Sequence, residues 1–202
     1  MSIARLHGGP IDSVSRRNFL NRMALVAANG TAATLAVKAI SAHAFAATQN
    51  EWRQCQKCNM MFYNGYRKSI CPAGQRHSAR VGENYVLPYN VPESPNAQGA
   101  WRFCNKCESL FFDGYPDKGK CPGGGGHVAQ GFVFVLPHDV RDSGYQTKDW
   151  RYCNKCHSMF HDEYQNKGRC PTSGAHVAQG FNFVLRFRGN LEGDTAQHPA
   201  DQ

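Results

Sequence analysis

After residue 46 the sequence has no apolar run long enough to span a bilayer, no block of five like charges, and no stretch with convincing helical periodicity. The first absence excludes a chain threaded through a membrane on helices, and the second excludes a polyelectrolyte tail. The third points away from helical bundles and doubly wound sheets. Catalytic signatures are equally scarce. No Ser-His-Asp order, paired-carboxylate box, phosphate loop or HExxH is visible, so no reaction class announces itself. Cysteine is absent everywhere except in three short segments that match one another.

Residues 1–46 differ in kind from the rest. Ser15-Arg16-Arg17-Asn18-Phe19-Leu20 precedes a modestly apolar stretch from Met23 to Val37, and small residues follow at Ala42-His43-Ala44 and Ala44-Phe45-Ala46. Basic, then apolar, then A-x-A is the layout of a removable secretion signal, and the apolar part is too short and too rich in Ala, Thr and Gly to anchor stably. The run resembles the twin-arginine motif S-R-R-x-F-L, so Arg16, Arg17, Phe19 and Leu20 are expected to be read by the twin-arginine (Tat) translocase. That resemblance implies export of an already folded chain, often loaded with metal in the cytoplasm, to the periplasm or the medium. No Cys follows the cleavage region, which argues against a lipid anchor. The leader holds five of the 23 Lys+Arg and one of the 15 Asp+Glu, leaving 18 against 14, a formal +4 in place of +8. A soluble mature chain without stable membrane insertion is expected, and the small excess argues against nucleic acid as a partner.

Trp52, Trp101 and Trp150 stand 49 residues apart, and each opens the same text. The copies read WRQCQKC-NMMFYNGY, WRFCNKC-ESLFFDGY and WRYCNKC-HSMFHDEY, followed by a Cys-Pro pair, a glycine-containing turn, a histidine and an apolar run. Copies two and three align without a gap through an identical His-Val-Ala-Gln-Gly-Phe at 127–132 and 176–181. Copy one is one residue shorter before Cys71 and one longer before Tyr85. A period of this length marks an array or a pseudo-symmetric fold. Within a copy three runs read as strands, as at Trp101–Phe103, Ser109–Phe112 and Phe132–Leu136, with turn residues at Gly114, Pro116 and Gly119.

Each copy supplies three cysteines and one histidine at fixed places: Cys55, Cys58, Cys71 and His77; Cys104, Cys107, Cys121 and His127; Cys153, Cys156, Cys170 and His176. In C-x2-C one tight turn presents two sulfurs to one ion, and C-P-x4-H closes a tetrahedron from a second loop. The pattern resembles the knuckles of zinc ribbons, with five residues instead of two between the third and fourth ligands. One disulfide plus a free thiol per copy, or a redox-active arrangement, is the competing reading. Yet nine cysteines cannot pair completely in a monomer, and a metal removes the parity problem. Zinc, up to three ions in structural sites, suits sulfur-rich tetrahedra best; iron or copper(I) also fits the donors. Modules of about 36 residues lie below the size at which a hydrophobic core suffices, so a staple is needed. Three thiolates against one divalent ion lower the charge by one per module, from +4 to about +1.

The whole text, W-x-x-C-x-K-C-x-x-[LM]-F with C-P-x4-H and a closing aromatic strand, covers about residues 52–186. It resembles a small cysteine-rich repeat of secreted bacterial and fungal proteins, and the resemblance brings no activity with it. The expected organisation is a signal at 1–46, modules at 52–89, 101–138 and 150–187, and a disordered tail at 188–202. The expected fold is mainly β, three tandem metal-stapled modules of zinc-ribbon type. The linkers at 90–100 and 139–149 are polar, and three strands per copy favour beads or a compact stack. The alternative is closure with pseudo-threefold symmetry in the manner of a β-trefoil, whose repeats carry four strands against the three read here.

The repeated Trp and Phe positions are expected in the core. Tyr66, Tyr115 and Tyr164, beside the turn, are candidate ligand-binding platforms. Lys57, Lys106 and Lys155, inside the C-x-K-C turn, are expected to stay solvated. His157 and His161 occur only in copy three, about 13 Å apart on a strand, and read as surface histidines. Repetition favours a non-enzymatic binding or scaffold protein for an extracellular or envelope glycan, because weak equivalent sites gain avidity on a repeating ligand. A secreted enzyme or redox protein with a site between modules, using His157 or His161, and metal sequestration are the alternatives.

Overall fold

The computed structural model describes residues 47–66, 69–141 and 146–188. The export signal at Arg16, Arg17, Phe19 and Leu20, and the expected tail apart from Arg188, lie outside the described residues.

Nine strands are described: β1 (Thr48–Gln54), β2 (Met61–Tyr63), β3 (Asn84–Pro88), β4 (Ala97–Cys104), β5 (Leu110–Phe112), β6 (Ala129–Pro137), β7 (Gln146–Cys153), β8 (Met159–His161) and β9 (Ala178–Arg188). No helix occurs among the described residues, and none there is long and apolar enough to cross a membrane. Each copy gives an antiparallel triplet with its first strand in the middle, in the orders β2-β1-β3, β5-β4-β6 and β8-β7-β9. The tryptophan sits at the centre of each triplet. Trp101, for instance, lies opposite Phe112 on one side and Phe134 on the other. Just before each tryptophan the ladder slips, and Glu51, Ala100 and Asp149 adopt positive φ of 68°, 58° and 67°. This bulge turns the indole inward.

The three triplets close on one another, so the expected beads or stack on polar linkers is corrected. The linkers themselves enter the sheets: β4 begins at Ala97, β7 at Gln146, and Tyr89 and His138 bridge to Phe134 and Phe183 of the following copy. The cycle is completed by β9, which pairs with β3 through Tyr85 opposite Phe187. A second ring of contacts joins the short hairpin strands. Tyr63 N donates to Glu108 O at 2.8 Å, Phe112 N to His157 O at 2.9 Å, and His161 N to Asn59 O at 2.9 Å. One copy hands on to the next, and the third hands back to the first. The arrangement is a pseudo-threefold ring, the alternative expected from the repeat, reached with three strands per copy.

Packing explains the closure. One shared core takes four residues from each copy: Trp52, Met61, Tyr85 and Leu87; Trp101, Leu110, Phe134 and Leu136; Trp150, Met159, Phe183 and Leu185. Four large side chains cannot cover themselves, whereas twelve can. Each indole meets a ring of the next copy edge-on: Trp52 with Phe134 at 5.1 Å, Trp101 with Phe183 at 5.1 Å, and Trp150 with Tyr85 at 5.0 Å.

His161 belongs to this core and is 1% exposed, which corrects its reading as a surface residue. It occupies the position of Tyr63 and Phe112, lies 4.9 Å from Trp150, and its Nε2 donates to Lys148 O at 3.1 Å. Burial lowers its pKa; Glu163 and Asp149 oppose that effect and Arg80 adds to it. With the folded value below the unfolded one, the unfolded chain takes up the proton first, and stability falls as pH drops below about 6.5. His161→Phe, which writes copy two's residue into copy three, is expected to reduce the loss in urea midpoint between pH 7.5 and 6.0. An unchanged loss would place the pH sensitivity elsewhere.

Candidate functional site

All three quartets come together. In each, the four donor atoms lie within 4.8 Å of one another, and every one of the twelve residues is buried. The first cysteine ends or directly follows the central strand, and the chain then folds back so that Asn59 N, Glu108 N and His157 N each donate at 2.8 Å to the carbonyl of that cysteine. These three residues adopt φ of 60°, 62° and 64°. The third and fourth ligands come from a second loop. Its five-residue gap is taken up by a compact turn in which Cys71 N, Cys121 N and Cys170 N donate to Gln75 O, Gly125 O and Gly174 O at 2.8–2.9 Å. The imidazoles of His77, His127 and His176 stack on Phe62, Phe111 and Phe160 at 4.7–4.8 Å, which aims Nδ1 at the sulfurs.

Cys55 and Cys71 Sγ stand 3.9 Å apart, and Cys104 and Cys121 Sγ 3.8 Å. The Nδ1 atoms of His77, His127 and His176 lie 3.4, 3.6 and 3.5 Å from Cys58, Cys107 and Cys156 Sγ. A tetrahedral ion with metal–sulfur bonds of about 2.3 Å and metal–nitrogen bonds of about 2.1 Å spans roughly 3.8 Å between sulfurs and 3.6 Å from sulfur to nitrogen. The donors fit those edges. A disulfide needs about 2.05 Å, and all nine cysteines are free. The three buried groups can therefore each hold a metal ion.

The sulfurs also polarise one another. Hydrogen bonds from Cys58 and Cys71 hold the Cys55 thiol far below the usual thiol range, and Cys107 and Cys121 do the same to Cys104. Burial pushes Cys58, Cys107 and Cys156 up, and Cys121 is raised to about 11, chiefly by its bond to Cys104. Backbone amides add partial positive charge: Ser78 N and Val128 N point at Cys55 and Cys104 Sγ at 3.5 Å. In each site some sulfurs ionise readily and others resist it, and a cation among them would stabilise all three as thiolates.

Two features escaped the sequence. The lysine in each C-x-K-C turn clips the two ligand loops together: Lys57 Nζ donates to Gly74 O at 2.7 Å, Lys106 to Gly126 O at 2.8 Å, and Lys155 to Ser173 O and Ala175 O at 2.7 and 3.1 Å. Its recurrence in all three copies was the available signal. Clusters two and three are also joined to one another. His127 Nε2 donates to Cys156 O at 3.1 Å, so the second nitrogen of one imidazole is fixed by the next copy's turn.

The interfaces between copies open as clefts. Between copies one and two, Gln49, Tyr63 and Tyr66 face Phe103, Gln130 and Phe132 around about 500 Å³ of open space. Between copies two and three, Gln98, Phe112 and Tyr115 face Tyr152, Gln179 and Phe181 around about 450 Å³. The two linings match position for position, and Tyr66 and Tyr115 are 58% and 52% exposed. The third interface keeps the tyrosine, as Tyr164, but carries different residues at the other matching places: Thr147 and His161 on copy three, Gln54, Arg80 and Glu83 on copy one. Tyr164 is half-buried there, beneath Arg80. His157 is only 8% exposed, which corrects its reading as a surface residue; it sits in the turn before β8, 5.9 Å from the Tyr115 ring. Comparison with family models, with curated proteins and with solved structures finds no match.

Proposed function

We propose that the protein is an exported, zinc-stapled binding protein for an extracellular or envelope glycan, without catalytic activity of its own. The observation that carries this reading is the pair of matching clefts, each combining exposed aromatic faces with two side-chain amides. Aromatic rings take the CH face of a pyranose, and amides exchange hydrogen bonds with its hydroxyls. Zinc is the ion that best suits three thiolates and an imidazole in a closed tetrahedron. Four protein ligands leave no open coordination position, and full burial favours a structural ion over an exchangeable store. His161 is buried with its Nε2 on a backbone carbonyl and Glu163 3.9 Å from its Nδ1, and His157 is packed behind Tyr115, so both are accounted for by packing within the ring. The leader's twin-arginine pattern accords with thiolates metallated in a reducing compartment before export.

The test has two arms. The full chain is applied to insoluble cellulose, chitin and purified cell-wall material, beside the double variant Tyr66→Ala/Tyr115→Ala with unchanged circular dichroism. Retention of the parent and at least tenfold weaker retention of the variant is expected, from about 1 kcal/mol per lost stack at each cleft. Equal retention of both would end the glycan reading. In the producing host, Arg16→Lys/Arg17→Lys is expected to leave the protein in the cytoplasm; undiminished export would remove the Tat assignment.

A further inference from the structure

We infer that the protein is bivalent, not trivalent: the first and second interfaces are open sites for an uncharged, β-linked sugar chain, and the third is a polar seam that excludes it. This rests on the glycan reading above. The matching linings of the first two clefts contain aromatic rings, glutamines and a glycine, and no charged side chain. A carboxylated or sulfated sugar finds no counter-charge there. β-Linked hexoses with equatorial substituents present flat CH faces on both sides of the ring, the shape that Tyr66 and Tyr115 can stack on while Gln130 and Gln179 bond the rim.

The third interface keeps the ring, as Tyr164, but covers it and has lost the rim amide. Arg80 stands where the other interfaces have Gln130 and Gln179, and its guanidinium lies over the Tyr164 ring, 4.8 Å from its centre. Glu83, in the place of Phe132 and Phe181, holds Arg80 at 3.9 Å. Tyr85 replaces Phe134 and Phe183, and its hydroxyl meets Thr147 across the interface and Glu83 within its own copy. The cation over the ring takes the place a sugar would occupy, at a cost to displace that neither other interface imposes. This is also the joint at which β9 pairs with β3 over three residue pairs, where the segments after β3 and β6 meet the next copy's closing strand through one bridge each, Tyr89 to Phe134 and His138 to Phe183. Here the ring is fastened.

The three tryptophans report the interfaces separately, since Trp52, Trp101 and Trp150 pack against rings at the first, second and third. The full metal-loaded chain, labelled with nitrogen-15, is titrated with cellotriose and chitotriose while its indole resonances are followed. Those of Trp52 and Trp101 are expected to move and that of Trp150 to stay. Tyr66→Ala is expected to weaken the Trp52 response about fivefold and leave the Trp101 response within twofold; Tyr115→Ala does the reverse. Movement of Trp150 in step with the others, or a response at one interface only, overturns bivalence while the glycan reading stands. An equal response to trigalacturonate overturns the uncharged class. No response to any oligosaccharide, with cell-wall material also failing to retain the protein, sinks both.

Discussion

Removal of metal by a strong chelator, with reductant present, is expected to unfold the 47–188 region in a single transition and to release three equivalents of zinc. A structural zinc contributes about 10–16 kcal/mol of apparent binding energy, and a whole domain is stable by only about 5–15 kcal/mol. Losing one ion is therefore enough to unfold what it clamps. The loss cannot stay local, because each module gives a third of one core and His127 is tied to the carbonyl of Cys156 in the neighbouring cluster. Colorimetric zinc release followed beside near-ultraviolet circular dichroism should give coincident curves, without a plateau at one or two ions. A chelated, thiol-blocked protein that retains its tryptophan signal would refute the staple.

The second large effect is expected from one added methyl group. Gly168 has a φ of 72°, and a Cβ there would stand 2.1 Å from the carbonyl oxygen of Cys58, on the module across the third interface. Gly119 makes the equivalent approach to Cys156, at 2.3 Å. Copy one places Ser69 here in a loop one residue shorter. Gly168→Ala must move two backbones as well as strain one, and a loss on the order of 4 kcal/mol is expected. Gly131 is the control, with a φ of 70° and nothing within 4 Å of its Cβ position, so Gly131→Ala should cost only the conformational penalty of about 1–2 kcal/mol. Urea unfolding of the two variants separates contact from conformation. Equal losses would mean that the close approach at Gly168 contributes nothing.

The twelve donors were legible because metal ligation fixes residue type and spacing together, and three copies repeat both. Strand positions were legible for a similar reason: the aromatic runs at Trp101 and Phe132 recur in phase. Ring closure was not, since its hydrogen bonds run between backbone atoms such as Tyr63 N and Glu108 O, which any side chain would supply. His157 and His161 read as surface because their spacing, too wide on a strand for one ion, says nothing of what each packs against. Set beside Phe112 and Tyr63, His161 already occupied a core position. The departure of the third interface was written in copy one, where Arg80 and Glu83 interrupt the text that copies two and three share at Gln-Gly-Phe.

Because β3 has β1 on one flank and β9 on the other, both of its edges are filled. A fourth copy appended to the chain would find the β3–β9 joint already taken and no indole left uncovered. Open repeat arrays lengthen or shorten by whole units without harm, but this architecture is locked at its present count. Any gain in reach would have to come from stringing complete trimers of the motif together, each fastened at its own clasp.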